Sequence, residues 1–519
     1  MNEYILSIDC GTQSIRALIF DTKGELIAKE SMEFKRPYYS NYPGWAEQDA
    51  NVYWNGLCNV CRSIKEKNEN IFENIAGVTI TTMRDTVVNI DKNGQPLRPV
   101  ILWLDQRMAK CEEPIPFFYN IIYSLIGMKS AVEISRRKSK ANWIKENEKE
   151  IWERTYKYLM LSGYLNFMLT GEMVDSVACQ IGHIPFDYKN FSWPKSFSNY
   201  RWSMFGVEQD KLPSLVQPGS IIGYVTEKAS KESGIKKGLP VIASASDKGC
   251  ETLGCGCLDL SSASISFGTT ATVQITSKKY IEPISFMPSY PAAIPYCYNA
   301  EIQIYRGYWM ISWFKNEFGA EDIIEAKKKG IDVEELLSNK LDKIPAGSLG
   351  LMLQPFWSPG LKMPEAKGAM IGFGDVHTRL HVYRAIIEGI NYGLLDGIEK
   401  IERKSKKKID RIIVSGGGSK SDTICQITAD MMGRNVFKGQ TYEMSGLGSA
   451  MNGFVGLKIY KSYEDAVKNM VHYVKCFEPN KENHKLYNKL FNRVYKRIYP
   501  NLRKSYFEIQ RITGYPNIY

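Results

Sequence analysis

The chain has 519 residues, 44% hydrophobic and 24% charged, with a net charge of 67 − 56 = +11. That length and balance exclude a disordered or fibrous chain and allow two or three domains, each with its own core. No apolar run reaches the ~18 residues of a membrane span, and the N-terminus lacks a basic stretch leading into an apolar one.

In chain order, Ile5–Ile8, Ala17–Phe20 and Leu26–Glu33 read as strands. The first two are joined by a polar turn within "SIDCGTQSIRALIFD", which places Asp9, Gly11, Thr12, Gln13, Ser14 and Arg16 at or beside its tip. Trp54, Leu57, Cys58, Cys61 and Ile64 then fall at helical spacing, so the Cys58–Cys61 pair is a core stripe and not half of a metal site. "IAGVTITTMRD" is a strand ending in Arg84 and Asp85. "VVNIDKNGQPLRPVILWLDQR" is a hairpin turning at Asn93-Gly94 and ending near Trp103 and Asp105. The middle, from about Ala131 to Tyr200, is helical and then rich in loops.

"KGLPVIASASDKGCETLGCG" predicts a strand, small residues and a short helix opening at Asp247, where an N-cap role competes with a chemical one. A second strand–turn–strand follows in "SISFGTTATV", with Gly268 and Thr269 at its tip. Gly11 and Gly268 lie 268 − 11 = 257 residues apart, about half the chain, which predicts two copies of one fold with a boundary near residues 255–262. Further on, "RIIVSGGGSKSDTICQITADMMG" reads as strand, glycine turn and helix. The last forty residues predict a basic helix pair broken at Pro500, with Leu486, Leu490, Val494 and Ile498 as its apolar stripe. A docked helix with a solvated face explains that pattern better than a nucleic-acid or membrane surface.

These turns suggest phosphate chemistry. A strand–Gly-Thr–strand turn offers backbone N–H groups and short hydroxyls to one concavity, and two opposed turns can grip a polyphosphate from both sides. Asp9 would hold Mg²⁺ from the first turn, where the second has Ser266, and Arg16 would offset phosphate charge. The "SGGGSKS" loop lets backbone approach a ligand closely and opens a helix whose N-terminus favours anions. It is not a Walker A loop, and no complete G-x-G-x-x-G occurs. The five histidines form no cluster in sequence.

Together these segments resemble the FGGY carbohydrate kinase family, within the actin and heat-shock chaperone ATPase superfamily. "DCGTQSIR", "GWAEQDANVYW", "SASDKGCETLGCG", "SFGTTA", "GAMIGFGDVHTRLHVYRAIIEG" and "GGGSKSDTICQITADMMGRNV" with "EMSGLGSA" follow the family's order over almost the entire chain. The resemblance implies an α/β protein of two duplicated actin-like (ribonuclease H-like) domains, residues 1–257 and 258–519, around an active-site cleft. It implies ATP and Mg²⁺ as cofactors and a small sugar or polyol as partner. The eleven cysteines, scattered and odd in number, suit a reducing cytoplasm; no nucleic acid or membrane partner is expected, and a homodimer is allowed. Gly11, Thr12, Gln13, Ser14 and Arg16 would face ATP from one side, and Gly268, Thr269, Gly307, Gly417 and Ser421 from the other. Asp9 would serve the metal. Asp247 would be the base, and Arg84, Asp85, Trp103 and Lys248 would join it around the substrate. The Arg84-Asp85 pair is nearer to glycerol kinases than to xylulokinases. Phe373, Arg137 and Lys248 depart from the family pattern; Lys248 would either pair an acidic or ketonic group or depress the pKa of Asp247. The rival reading is a non-catalytic ATP- and sugar-binding sensor or assembly protein, which would have no need of Asp247.

Overall fold

A computed structural model describes residues 3–112, 114–125, 127–196, 199–285, 287–358 and 363–515. Two sheets carry it. The first is built from β1 (Tyr4–Cys10), β2 (Ser14–Phe20), β3 (Leu26–Glu33), β4 (Ile75–Thr82), β5 (Ile221–Tyr224) and β6 (Pro240–Ile242), in the order β5-β6-β4-β1-β2-β3. The second contains β7 (Ser262–Phe267), β8 (Ala271–Ser277), β9 (Tyr298–Ile304), β10 (Arg411–Ser415), β11 (Asn435–Gly439) and β12 (Tyr473–Phe477). Its order is β9-β8-β7-β10-β11-β12, extended beyond β9 by the short strand Tyr290–Pro291.

The two sheets share one pairing scheme. β1 pairs antiparallel with β2 and parallel with β4, and β7 pairs antiparallel with β8 and parallel with β10. β2–β3 and β8–β9 are antiparallel, while β4–β6 and β10–β11 are parallel. Each sheet then gains an antiparallel sixth strand, β5 on β6 and β12 on β11. The repeat expected from the two Gly-Thr turns is therefore a repeat of topology. β1 and β7 are buried over nearly their whole length, as central strands covered on both faces require.

Helix α1 (Ala50–Lys67), capped by Asp49, buries Trp54, Leu57, Cys58, Cys61 and Ile64 against the first sheet. The expected cysteine stripe is thus core, and all eleven cysteines are free. A smaller four-stranded sheet, which includes Val87–Ile90 and Val100–Ile101, shares the first sheet's core through Val88, Ile90 and Val100.

Helix α2 (Asp247–Gly254) follows β6, and helix α3 (Met444–Gly456) follows β11. Each leans on the other half's sheet. Thr252 of α2 hydrogen-bonds Ser264 of β7 at 3.2 Å, and Ser449 of α3 donates to Thr79 of β4 at 3.0 Å. Ile5, Leu18 and Phe20 pack with Leu447, Ala450, Met451 and Phe454 in a core common to both halves.

The C-terminus corrects two expectations. Pro500 does not break the final helix, which runs continuously over Lys496–Thr513. The irregularity is a π-helical turn at Phe491–Tyr495, just ahead of the proline, where the hydrogen-bond register widens. The apolar stripe is broader than expected: Ile498 enters the core and Leu490 and Val494 pack against it, joined by Tyr487, Phe491 and Tyr495, while Leu486 stays exposed. Tyr487 faces inward because its hydroxyl meets buried Arg384 at 3.0 Å and Glu388 at 2.7 Å.

Candidate active site

The first turn joins β1 to β2, closed by Gly11 N–H donating to the Ser14 carbonyl at 3.0 Å. Thr12 accepts from the Trp103 indole N–H at 2.9 Å, so Trp103, half exposed, stands beside this turn. Gln13 is exposed and its carbonyl ties the turn to Phe34 at 2.8 Å. The second turn leaves Thr269 exposed, and its backbone carbonyls at Gly268 and Thr269 receive Tyr308 and Trp309 N–H groups.

Asp9 lies buried two residues before the first turn, and Ser266 lies two before the second. Arg16 Nη1 is divided between Asp9 at 3.2 Å and Glu443 at 3.0 Å, and Lys29 also pairs with Glu443. Arg16, expected to face phosphates, is thus first a counter-ion for two acids, with its side chain 38% exposed. Burial pushes the Asp9 carboxyl up to about 7; Arg16 opposes this, and Asp247, Glu443 and Glu251 add to it.

That shift has a testable sign. Between about 4 and 7 the folded chain holds a proton on Asp9 that the unfolded chain has lost, so stability falls as pH rises through this window. Without divalent cation, the unfolding midpoint is expected to be higher at pH 5 than at pH 8, and Asp9→Asn to flatten the difference. An unchanged slope in Asp9→Asn would remove Asp9 as its source.

The N-terminus of α2 is near the ends of β1 and β7: Lys248 reaches Ser266 at 2.7 Å, and Asp247 acts on the Asp9 carboxyl. Ser246, not Asp247, caps the helix, its hydroxyl accepting from Gly249 N–H at 3.4 Å. The Asp247 carboxylate is released from capping and accepts from Lys248 N–H at 2.8 Å. Burial raises the Asp247 pKa, partly offset by Lys248 and Arg84. Lys248, expected beside the substrate, puts Nζ 2.7 Å from both Glu251 and Ser266.

Arg84 links the two halves of the chain. It reaches Ser246 at 3.2 Å and Glu301 of β9 at 2.9 Å, and its guanidinium lies 5.1 Å from the Tyr290 ring centre. Asp85 adopts φ 45°, a left-handed conformation that is costly outside glycine. Its carboxylate meets Lys140 at 2.9 Å and His183 Nδ1 at 3.0 Å. Burial pushes its pKa up, but Lys140 and His183 outweigh this and hold it well below the usual carboxylate range.

The glycine loop divides its labour. Gly416 has φ 79°, and a Cβ on Gly418 would strike the Tyr308 ring, whereas Gly417 faces open space. Ser421 caps the helix Asp422–Met432 through Ile424 N–H at 3.2 Å. Gly307 packs against Ala271, so its lack of a side chain is required by the fold.

Glu301, Glu443, Glu251, Lys140, His183 and Tyr290 were not singled out from sequence as ligands or partners. Glu301 and Glu443 lie 217 and 427 residues from the arginines they pair with, a separation that no local pattern reveals.

Two sheets of one topology, each with a Gly-Thr turn, define a two-domain α/β protein of actin-like fold. Comparison with known proteins gives the family. Residues 4–254 match the N-terminal domain of the FGGY family of carbohydrate kinases and residues 263–457 its C-terminal domain; the chain belongs to this family and is a carbohydrate kinase. It is 28% identical to the uncharacterized sugar kinase YgcE of Escherichia coli, over 93% of this chain and 91% of the relative. It is 27% identical to a xylulose kinase of Lactococcus lactis, over 92% and 93%. A gluconate kinase structure from Lactobacillus acidophilus superposes with a TM-score of 0.82 at 21% identity, covering 98% of this chain and all of that one, a likeness of two-domain actin-like fold. Among the described residues no helix is long and apolar enough to cross a membrane.

Proposed function

We propose that the chain transfers the γ-phosphoryl group of ATP to a hydroxyl of a ketopentose such as xylulose or of a glycerol-like polyol, with Asp247 as general base. The observation that carries this is a buried carboxylate, freed from capping by Ser246, that acts electrostatically on Asp9 ahead of the first Gly-Thr turn, while its neighbour Lys248 meets Ser266 ahead of the second. Relatives named xylulose kinase support the first acceptor class, and the Arg84-Asp85 pair supports the second.

Residues 1–257 contribute Thr12, Gln13 and Ser14 to the phosphates, and residues 258–519 contribute Thr269 with the Gly417 loop. Arg84 and Asp85 supply a donor and an acceptor to neighbouring hydroxyls, with Trp103 against the carbon chain. Phosphoryl transfer is governed by alignment and charge neutralisation, and base assistance adds roughly 10²–10⁴ in rate. Raising the pKa of Asp247 brings it nearer the range in which a carboxylate accepts a proton effectively.

Asp9 fits a Mg²⁺ role. It is a buried carboxylate raised by its own burial and by acid neighbours, and a cation would relieve that charge. Among the described residues no group of three or more His, Cys, Asp or Glu side chains could hold a metal. That suits an ion held by one carboxylate, phosphates and water. Bound there, Mg²⁺ would neutralise phosphate charge.

The test is coupled ADP release against a panel of ketopentoses, polyols and hexuloses. One acceptor class should raise turnover well above the substrate-free rate. Nucleotide binding with no acceptor stimulating turnover would favour a sensor.

A further inference from the structure

We propose that Lys248 is a catalytic residue of the phosphoryl group in flight, and not a contact of the sugar. This rests on the kinase reading of the cleft. The lysine follows the candidate base directly, yet its side chain leans to the nucleotide half: Nζ is 2.7 Å from Ser266 Oγ, two residues before the Gly268-Thr269 turn. It is 2.7 Å from Glu251 Oε2, whose other oxygen accepts from Ser415 Oγ at 2.6 Å. Ser415 is the register partner of Ser266 on the neighbouring strand, so β7, β10 and α2 fix the ammonium jointly. These contacts use two of the three N–H groups of the ammonium. The side chain keeps 24% of its surface exposed. The substrate-side cluster of Arg84, Asp85, Lys140 and His183 makes no hydrogen bond or ion pair with it among the described residues.

Charge arithmetic explains why a cation is useful here. The N-terminal turn of α2 and its surroundings place Asp247, Glu251 and Asp9 within electrostatic reach of one another, and Lys248 and Arg84 face Asp247 and Glu301. A polyphosphate entering this cleft adds further negative charge, and without Lys248 the base and Glu251 would repel it together. In the step itself, the acceptor O–H gives its proton to an Asp247 oxygen and its oxygen bonds the γ-phosphorus. The bond from that phosphorus to the β,γ-bridging oxygen breaks, and its electron pair leaves on ADP. Lys248 offsets the charge on the transferring group throughout.

The plain alternative is that Lys248 only neutralises buried Glu251. Lys248→Gln separates the two. The expected result is kcat lower by roughly 10²–10³, sugar KM within about twofold of wild type, and the preference for ATP over ADP reduced about tenfold. Lys248→Arg, which keeps the charge, should recover part of the loss. Equal weakening of ATP and ADP, with a lowered unfolding midpoint, would make the lysine structural only. A raised sugar KM with kcat retained would return it to the sugar site. Should glutamine unfold the chain, the pair Lys248→Gln with Glu251→Gln removes the stranded acid, and the ATP-to-ADP ratio is read on that protein. If wild type phosphorylates no acceptor, the kinase-substrate reading fails separately, and the nucleotide ratio still decides the place of Lys248.

Discussion

Asp247→Asn is expected to lower acceptor-dependent ADP release by roughly 10²–10⁴ while nucleotide affinity stays near wild type. Asparagine keeps the size of the side chain and the oxygen that accepts from Lys248 N–H, a 2.8 Å contact. Ser246 still caps the helix. What is lost is the negative charge and the proton acceptor. The same exchange should leave the unfolding midpoint equal or higher. Burial is the main cause of the raised Asp247 pKa, so its ionised form is costly in the folded chain, and a neutral amide avoids that cost. Activity and stability therefore move in opposite directions, the pattern of a side chain kept for chemistry. Coupled turnover and thermal unfolding on one preparation check both. An Asn variant with near-normal turnover removes the base assignment, and one that loses turnover through a lowered midpoint makes Asp247 a structural residue.

The frame of this site was legible because its parts are local. A Gly-Thr turn between two apolar strands is visible in ten residues, and its recurrence after 257 exposes the duplication. The strand–glycine–helix loop is legible for the same reason, and the structure adds which glycine serves what: Gly416 the dihedral, Gly418 the contact with Tyr308, Gly417 the open face. The charge pairing was not legible. Arg84 meets Glu301, Arg16 meets Glu443 and Asp85 meets Lys140 and His183 only once the fold brings distant strands and helices together. Lys248 shows the limit most clearly. Its position beside Asp247 is plain in sequence, but the direction of a four-carbon side chain depends on which neighbour offers a carboxylate. Glu251, one helical turn on, draws it towards β7.

Gly448→Ala is expected to damage stability more than any single exchange at the cleft's surface. Gly448 of α3 and Gly254 of α2 lie where the two helices cross. A Cβ on Gly448 would overlap the Cys250 carbonyl oxygen, and one on Gly254 the Met444 carbonyl oxygen. The obstacles are backbone atoms, which cannot swing aside as a side-chain tip can. Relief requires the helices to separate, opening the core where Leu447, Ala450 and Phe454 meet Ile5, Leu18 and Phe20. A cost of about 3 kcal/mol or more follows from overpacking against fixed atoms. Alanine's better helix propensity returns only about 1 kcal/mol, so the steric term wins. The functional consequence comes through the same contact. Asp247 and Lys248 open α2, so a shift of α2 away from α3 moves the base and the ammonium relative to both turns. Gly448→Ala should therefore lower the unfolding midpoint and turnover together, unlike Asp247→Asn. Gly417→Ala provides the matched comparison, because a Cβ there meets nothing within 4 Å and the midpoint should hold. A Gly448→Ala protein that unfolds at the wild-type temperature would show that the crossing tolerates a wider spacing, and the steric argument for this glycine would fail.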